Sequence, residues 1–227
     1  MNIKQIEGAI ILIDQEKAFD LIEQNFINHT LQKYGFGPNI QRWFQALYKN
    51  ITSKIQINGA KTKPFKIERS VRQGCPLSML LYVLSIEILR TTIQLDTNIK
   101  GVKIPNITEE AKTFQHADDC THFITTHTSY QNLIQKYTAY GSASGAKINQ
   151  NKTEILLIGN WRGNHPGLPP ETFKKTIKTL GIHIGKNSSK LNHKQIMEKI
   201  TKHSQIWNIR QLNLIEKAHI AKTYFYN

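Results

Sequence analysis

Two adjacent aspartates, Asp118 and Asp119, stand in the stretch TFQHADDCTHFI, between short segments that read as strands. Neighbouring carboxylates repel, and each raises the pKa of the other once both are partly desolvated. Taken alone the pair fits two readings. One is a solvated polar turn at a hairpin tip. The other is a site where a divalent cation relieves the repulsion, since Mg²⁺ takes oxygen ligands from one or two carboxylates together with substrate phosphates. Asp14 is a candidate third carboxylate, because it ends the apolar run GAIILID. There it either caps the next helix or does chemistry. If its strand lies beside the Asp118 hairpin, the three carboxylates converge. Two cations held there, roughly 3.5–4 Å apart, would clamp the attacking and leaving oxygens of an in-line phosphoryl displacement.

The elements that would position these groups follow from periodicity. GAIILID is continuously apolar and rich in β-branched residues, as in a strand buried on both faces. Phe19, Ile22, Phe26 and Tyr34 then fall near helical spacing, with Gly35 as a stop. Pro38 opens a second helix, predicted to carry Ile40, Trp43, Phe44, Leu47 and Tyr48 on one face. SKIQINGAKTKPFKIERS reads as a hairpin turning at Asn58-Gly59. From Pro76, Leu77, Leu80, Leu81, Leu84 and Ile88 recur at helical spacing in the strongest helix of the chain. KGVKI and TEILLIG are expected strands. Between them lies a helix from about Ser129 to Ser142 that uses Leu133, Ile134 and Tyr137. GNWRGNHPGLPPE is the candidate boundary, IKTLGIHIG a last hairpin or strand, and helices near 191–208 and 214–226 close the chain. The irregular mixture of strands and helices predicts an α+β fold with a helical C-terminal appendage.

The chain has 227 residues and a formal charge of +14, from 30 basic and 16 acidic residues. That excess points to a polyanionic partner, nucleic acid before anionic membrane. Residues 161–227 hold twelve Lys and Arg against three Glu, which is nine of the fourteen excess charges. Cys75 and Cys120 form neither a disulfide framework nor a CxxC zinc motif. GAIILID is too short for a signal peptide, and the run MLLYVLSIEIL, which contains Glu87, is too short to span a bilayer. A soluble intracellular protein with no membrane partner is expected.

The strings ILIDQEKAFD, VRQGCPLSMLL, HADD, SGAKINQNKTE and KTLGIHIG resemble, in content and order, the reverse transcriptase domain of LINE-type (non-LTR) retrotransposons, from about residue 9 to the C-terminus. The resemblance implies an α+β right-handed polymerase palm, an antiparallel sheet packed on helices, with a partial helical thumb. It divides the chain into a palm (1–165), a linker with a primer-grip-like hairpin (166–190) and partial thumb helices (191–227). It implies Asp14, Asp118 and Asp119 as the catalytic and metal-binding aspartates, with two Mg²⁺ or Mn²⁺ ions. Phe19 matches the bulky residue that packs under the sugar and excludes a ribose 2′-hydroxyl. Gln73 and Gly74 match the loop against the incoming nucleotide and template base, with Arg72 beside them reaching phosphate or template, or simply solvated. Lys152 matches the region of a lysine that protonates the pyrophosphate leaving group, and it could equally pair with Glu154 or face solvent. The implied partners are an RNA template, a DNA primer and dNTPs.

Three features depart from the family pattern. His116 stands where Tyr or Phe precedes Ala-Asp-Asp, Met79 replaces a Pro after Leu-Ser, and the chain begins at the first catalytic strand, without the fingers. The alternative reading is therefore a truncated, catalytically inactive remnant that at most binds nucleic acid.

Overall fold

The computed structural model describes residues 7–104, 109–162, 167–208, 210 and 212–225. They divide into two compact units, residues 1–174 and 175–227. The last hairpin lies in the same unit as the closing helices.

In the first unit β1 (Gly8–Ile13) leads into a short helix α1 (Ala18–Leu21), then α2 (Gln24–Lys33) and α3 (Pro38–Tyr48). The single helix predicted from Phe19 to Tyr34 is broken at Ile22–Glu23. Glu23 there forms an isolated bridge to Arg69 and an ion pair with it at 3.2 Å, a long-range constraint that periodicity cannot register. Four two-residue strands follow: β2 (Thr52–Ser53), β3 (Gln56–Ile57), β4 (Ala60–Lys61) and β5 (Phe65–Lys66). β2 pairs with β5, and β3 with β4 around the expected Asn58-Gly59 turn, where both residues have positive φ (48° and 86°).

Next come α4 (Pro76–Leu95), β6 (Val102–Lys103), β7 (Glu110–Ala111), β8 (Thr113–His116), β9 (Asp119–Ile124), α5 (His127–Ser144) and β10 (Glu154–Ile158). The main sheet is antiparallel in the order β10-β1-β9-β8. β1 is therefore central, and its near-continuous burial fits the reading of GAIILID as a strand covered on both faces. Ile11 and Ile124 are fully excluded from solvent, and α2, α4 and α5 pack together beside the sheet with Leu31, Leu81, Ile86, Leu89 and Leu133 in a common core.

Two predicted helix faces are corrected. The buried stripe of α4 is Ser78, Leu81, Tyr82, Ser85, Ile86, Leu89 and Ile93, while Leu80 is exposed and Leu77, Leu84 and Ile88 are only partly covered. An all-round apolar helix gives no phase, and the small Ser78 and Ser85 mark the covered side. By length and composition α4 could cross a membrane, and its place in this core accounts for that apolar character. On α3 only Phe44 and Tyr48 are buried, leaving Ile40, Trp43 and Leu47 exposed.

In the second unit β11 (Thr176–Thr179) and β12 (Ile182–Gly185) form the expected hairpin, followed by α6 (Ser188–Asn208) and α7 (Leu214–Phe225). Asn192 of α6 bonds the backbone of His183 in both directions, at 2.8 and 2.9 Å, and fixes the hairpin to the helix.

Candidate active site

The strand register brings two of the three aspartates together. Ile13 lies opposite Cys120 in the last pair of the β1–β9 ladder, and Asp14 and Asp119 are the residues that adjoin this pair. On its other side the chain beyond β1 is held by residues 147–149. Asn149 N–H donates to the Asp14 carbonyl at 2.8 Å, Glu16 N–H donates to the Lys147 carbonyl at 2.9 Å, and Gln15 bridges to Ile148. Asp118 occupies the tip between β8 and β9. Ala117 beside it has a φ of 54°, a left-handed conformation that costs a non-glycine residue on the order of 1 kcal/mol. Asp118 is half-buried and Asp119 exposed.

The charges are felt beneath the tip. Burial pushes the Cys120 thiol up to about 11, and the nearby Asp118 and Asp119 carboxylates add to that shift. Burial likewise raises the Tyr82 phenol, with Asp118 a smaller contributor. Asp14 Oδ2 is buried without a hydrogen-bond donor, and the Lys152 ammonium stands 3.6 Å from it. Lys152 thus pairs with Asp14, not with Glu154. Among the described residues no three His, Cys, Asp or Glu side chains form a group that could hold a metal ion, so the three carboxylates are not closed around a common point. The donor chemistry still fits a hard cation. It offers carboxylate oxygens at adjacent chain positions and one buried carboxylate oxygen without a hydrogen-bond donor.

The remaining predicted residues gather around α1 and the start of α4. The Phe19 carbonyl accepts from Val71 N–H at 2.9 Å, and Ser70 N–H donates to the Ile22 carbonyl at the same distance. This ties α1 to the loop that carries Arg72, Gln73 and Gly74, all three of which are exposed. Gln73 Nε2 lies 3.5 Å from Asp20 Oδ1. Gly74 has a φ of 82°, and a methyl group added there would meet nothing within 4 Å. Glycine suits the left-handed turn at this position, and its outer side is open.

The sequence reading missed what lies below these groups. Tyr82, 1% exposed, stacks on Phe19 with ring centroids 4.6 Å apart and 24° between planes, and its hydroxyl lies 3.5 Å from Gln15 Oε1. Its position on a helix that is apolar all round hid it. The cue available was a phenol in the middle of that helix, since a buried tyrosine hydroxyl needs a partner.

Sequence comparison identifies the family. Residues 2–184 match the family model described as reverse transcriptase (RNA-dependent DNA polymerase). The chain is 31% identical over 182 residues to the transposon TX1 uncharacterized 149 kDa protein of Xenopus laevis, covering 78% of this chain and 14% of that protein. It is also 31% identical over 140 residues to the retrovirus-related Pol polyprotein from type-2 retrotransposable element R2DM of Drosophila melanogaster, covering 62% and 13%. Both relatives come from LINE-type, non-LTR elements, and the chain spans about one seventh of their length. Among solved structures it resembles telomerase from Candida tropicalis in complex with a fragment of telomeric RNA. The TM-score is 0.59 at 12% identity, over 80% of this chain and 29% of that one. Telomerase from Candida albicans gives a TM-score of 0.53 at 11% identity, over 79% and 29%. The likeness supports a partial polymerase fold.

Proposed function

Because this chain belongs to the reverse transcriptase (RNA-dependent DNA polymerase) family, we propose that it forms the catalytic palm of a non-LTR element's polymerase, adding dNTPs to a primer 3′ end on an RNA template. The observation that carries the reading is the pairing of Ile13 with Cys120 at the end of the β1–β9 ladder, which leaves Asp14 and Asp119 as the residues adjoining that last pair, next to the Asp118 tip. The family works with divalent metal ions, and here Asp14, Asp118 and Asp119 would hold two Mg²⁺ or Mn²⁺. When bound, these ions lower the pKa of the primer hydroxyl and steady the triphosphate.

The chain's own residues do the rest. Asp14 is fixed by the 147–149 segment, so its carboxylate stays aligned with the β9 start. The Arg72–Gly74 loop, tied to α1 through Val71 and Ser70, lies against the incoming nucleotide. Phe19 packs under its sugar and excludes a 2′-hydroxyl. Lys152, whose ammonium stands 3.6 Å from Asp14, gives a proton to departing pyrophosphate. Replacing Lys152 with Leu is expected to slow single-turnover extension about 10²-fold, and Arg, whose guanidinium gives up its proton far less readily, is expected to restore little of the rate. Equal rates for wild type and Lys152→Leu would remove that role.

The test of the whole reading is primer extension on an RNA template with and without Mg²⁺. Synthesis that needs the metal supports it, and its absence leaves the reading of an inactive remnant that only binds nucleic acid. The second unit supports a binding role in either case. Lys175, Lys186, Lys190 and Lys194 line a groove of about 560 Å³ between the β11–β12 hairpin and α6. Lys190 and Lys194 stand one turn apart on α6, an unfavourable like-charge spacing on a helical face that a polyanion relieves, and Lys186 lies in the turn just before that helix. Nucleic-acid binding is expected to weaken with salt, and Lys186→Ala and Lys190→Ala are each expected to lower the slope of log K against log[salt] by roughly 1. Unchanged slopes would take the groove out of the interface.

A further inference from the structure

Excluding a ribose by steric conflict requires a ring that cannot retreat. A side chain that yields by a fraction of an ångström admits one more hydroxyl. Phe19 belongs to a four-residue helix that follows a left-handed residue, Lys17, with a φ of 42°. So short a helix has little stiffness of its own. Its rigidity has to come from neighbours, and two kinds are present. The backbone of α1 is bound by Val71 and Ser70. The ring of Phe19 rests on Tyr82, which sits on the long helix α4 at 1% exposure. Tyr82 is in turn held from behind. Its hydroxyl reaches Gln15 Oε1, and Gln15, 6% exposed, is the residue after Asp14 and bridges to Ile148. One buried phenol therefore links the ring of Phe19 to the strand end that carries Asp14.

We propose that Tyr82 is a positioning residue for sugar selectivity: stacked beneath Phe19 and buried on the long helix α4, it fixes the height of the Phe19 ring and so sets how strongly ribonucleoside triphosphates are refused. The proposal rests on the reading of Phe19 as the group that excludes the 2′-hydroxyl. Tyr82 does not touch substrate, and its effect passes through the ring above it. Removing the aromatic support leaves a void into which Phe19 can sink. Removing only the hydroxyl keeps the stack.

The experiment compares dATP with ATP opposite a template uridine, as the ratio of their kcat/KM values, in wild type, Phe19→Ala, Tyr82→Leu and Tyr82→Phe. Tyr82→Leu is expected to lower the ratio about tenfold, within the range that a hydrophobic pocket achieves against one added hydroxyl. Tyr82→Phe is expected to stay within about twofold of wild type, which a general loss of folding would not produce. A Tyr82→Leu ratio equal to wild type, with Phe19→Ala losing discrimination, overturns the proposal and leaves the role of Phe19 standing. Retained discrimination in Phe19→Ala overturns the role of Phe19, and the proposal falls with it. If extension is undetectable, the same ratio is read from displacement of a fluorescent dATP by dATP and by ATP at equilibrium. Wild type that fails to discriminate in that assay also overturns the proposal.

Discussion

Asparagine at both Asp118 and Asp119 abolishes primer extension, with an expected loss on the order of 10³-fold or more, the scale set by removing preorganised charge from a reacting centre. The fold should not suffer. Asp119 is exposed and Asp118 half-buried at the β8–β9 tip, so the two amides replace the carboxylates without a change of volume. They also end the repulsion between neighbours and remove the negative charges that help push up the Cys120 thiol. The thermal midpoint of the double variant should therefore equal or slightly exceed that of wild type. Single-nucleotide incorporation and a melting curve on the same preparation separate the two effects. Retention of even a tenth of the wild-type rate would sink the proposed chemistry, whereas a collapse of the midpoint would show the aspartates to be structural.

Acid should destabilise the first unit through one histidine. His122 lies on β9 with 1% exposure, its Nε2 2.8 Å from the Tyr137 hydroxyl and its ring edge-on to that phenol. Nδ1 is buried and has no hydrogen-bond partner. Burial lowers the pKa from 6.5 to about 3. The folded protein thus keeps the ring neutral where the unfolded chain protonates it. The resulting stability is complete above about pH 6.5 and is lost as the pH falls from there toward 3. Between pH 7 and pH 5 the linkage amounts to about 2 kcal/mol. Urea midpoints at pH 7, 6 and 5 should fall accordingly, and His122→Gln should flatten the profile over that interval. A wild-type midpoint constant from pH 7 to pH 5 would show that the ring is not held neutral.

Much of the site was legible because its parts announce themselves locally. The apolar run before Asp14, the polar break at Asp118-Asp119, Pro76 at a helix start and Asn58-Gly59 at a turn are short-range signals, and each element formed where expected. Motif order then linked segments that no local rule could join. What stayed hidden depends on contacts between distant segments. The Glu23–Arg69 bridge breaks a helix that spacing alone would run through. The pairing of Lys152 with Asp14 needs the 147–149 segment beside β1, and the Phe19–Tyr82 stack needs two helices brought together. The phase of α4 was read one position off because leucines on its open face outnumber the cue from Ser78 and Ser85.

The central place of β1 also governs the timing of assembly. Both of its partners lie far downstream: Cys120, opposite Ile13, and Ile158, opposite Gly8. A ribosome adding residues at ordinary speed needs roughly 5–20 s to make the intervening chain before the first partner strand emerges. For that interval six consecutive apolar-run residues wait without a ladder. The nascent chain is thus most exposed to aggregation before the sheet that carries Asp14 and Asp119 exists, and a lower expression temperature or a chaperone that shields β1 should raise the soluble yield.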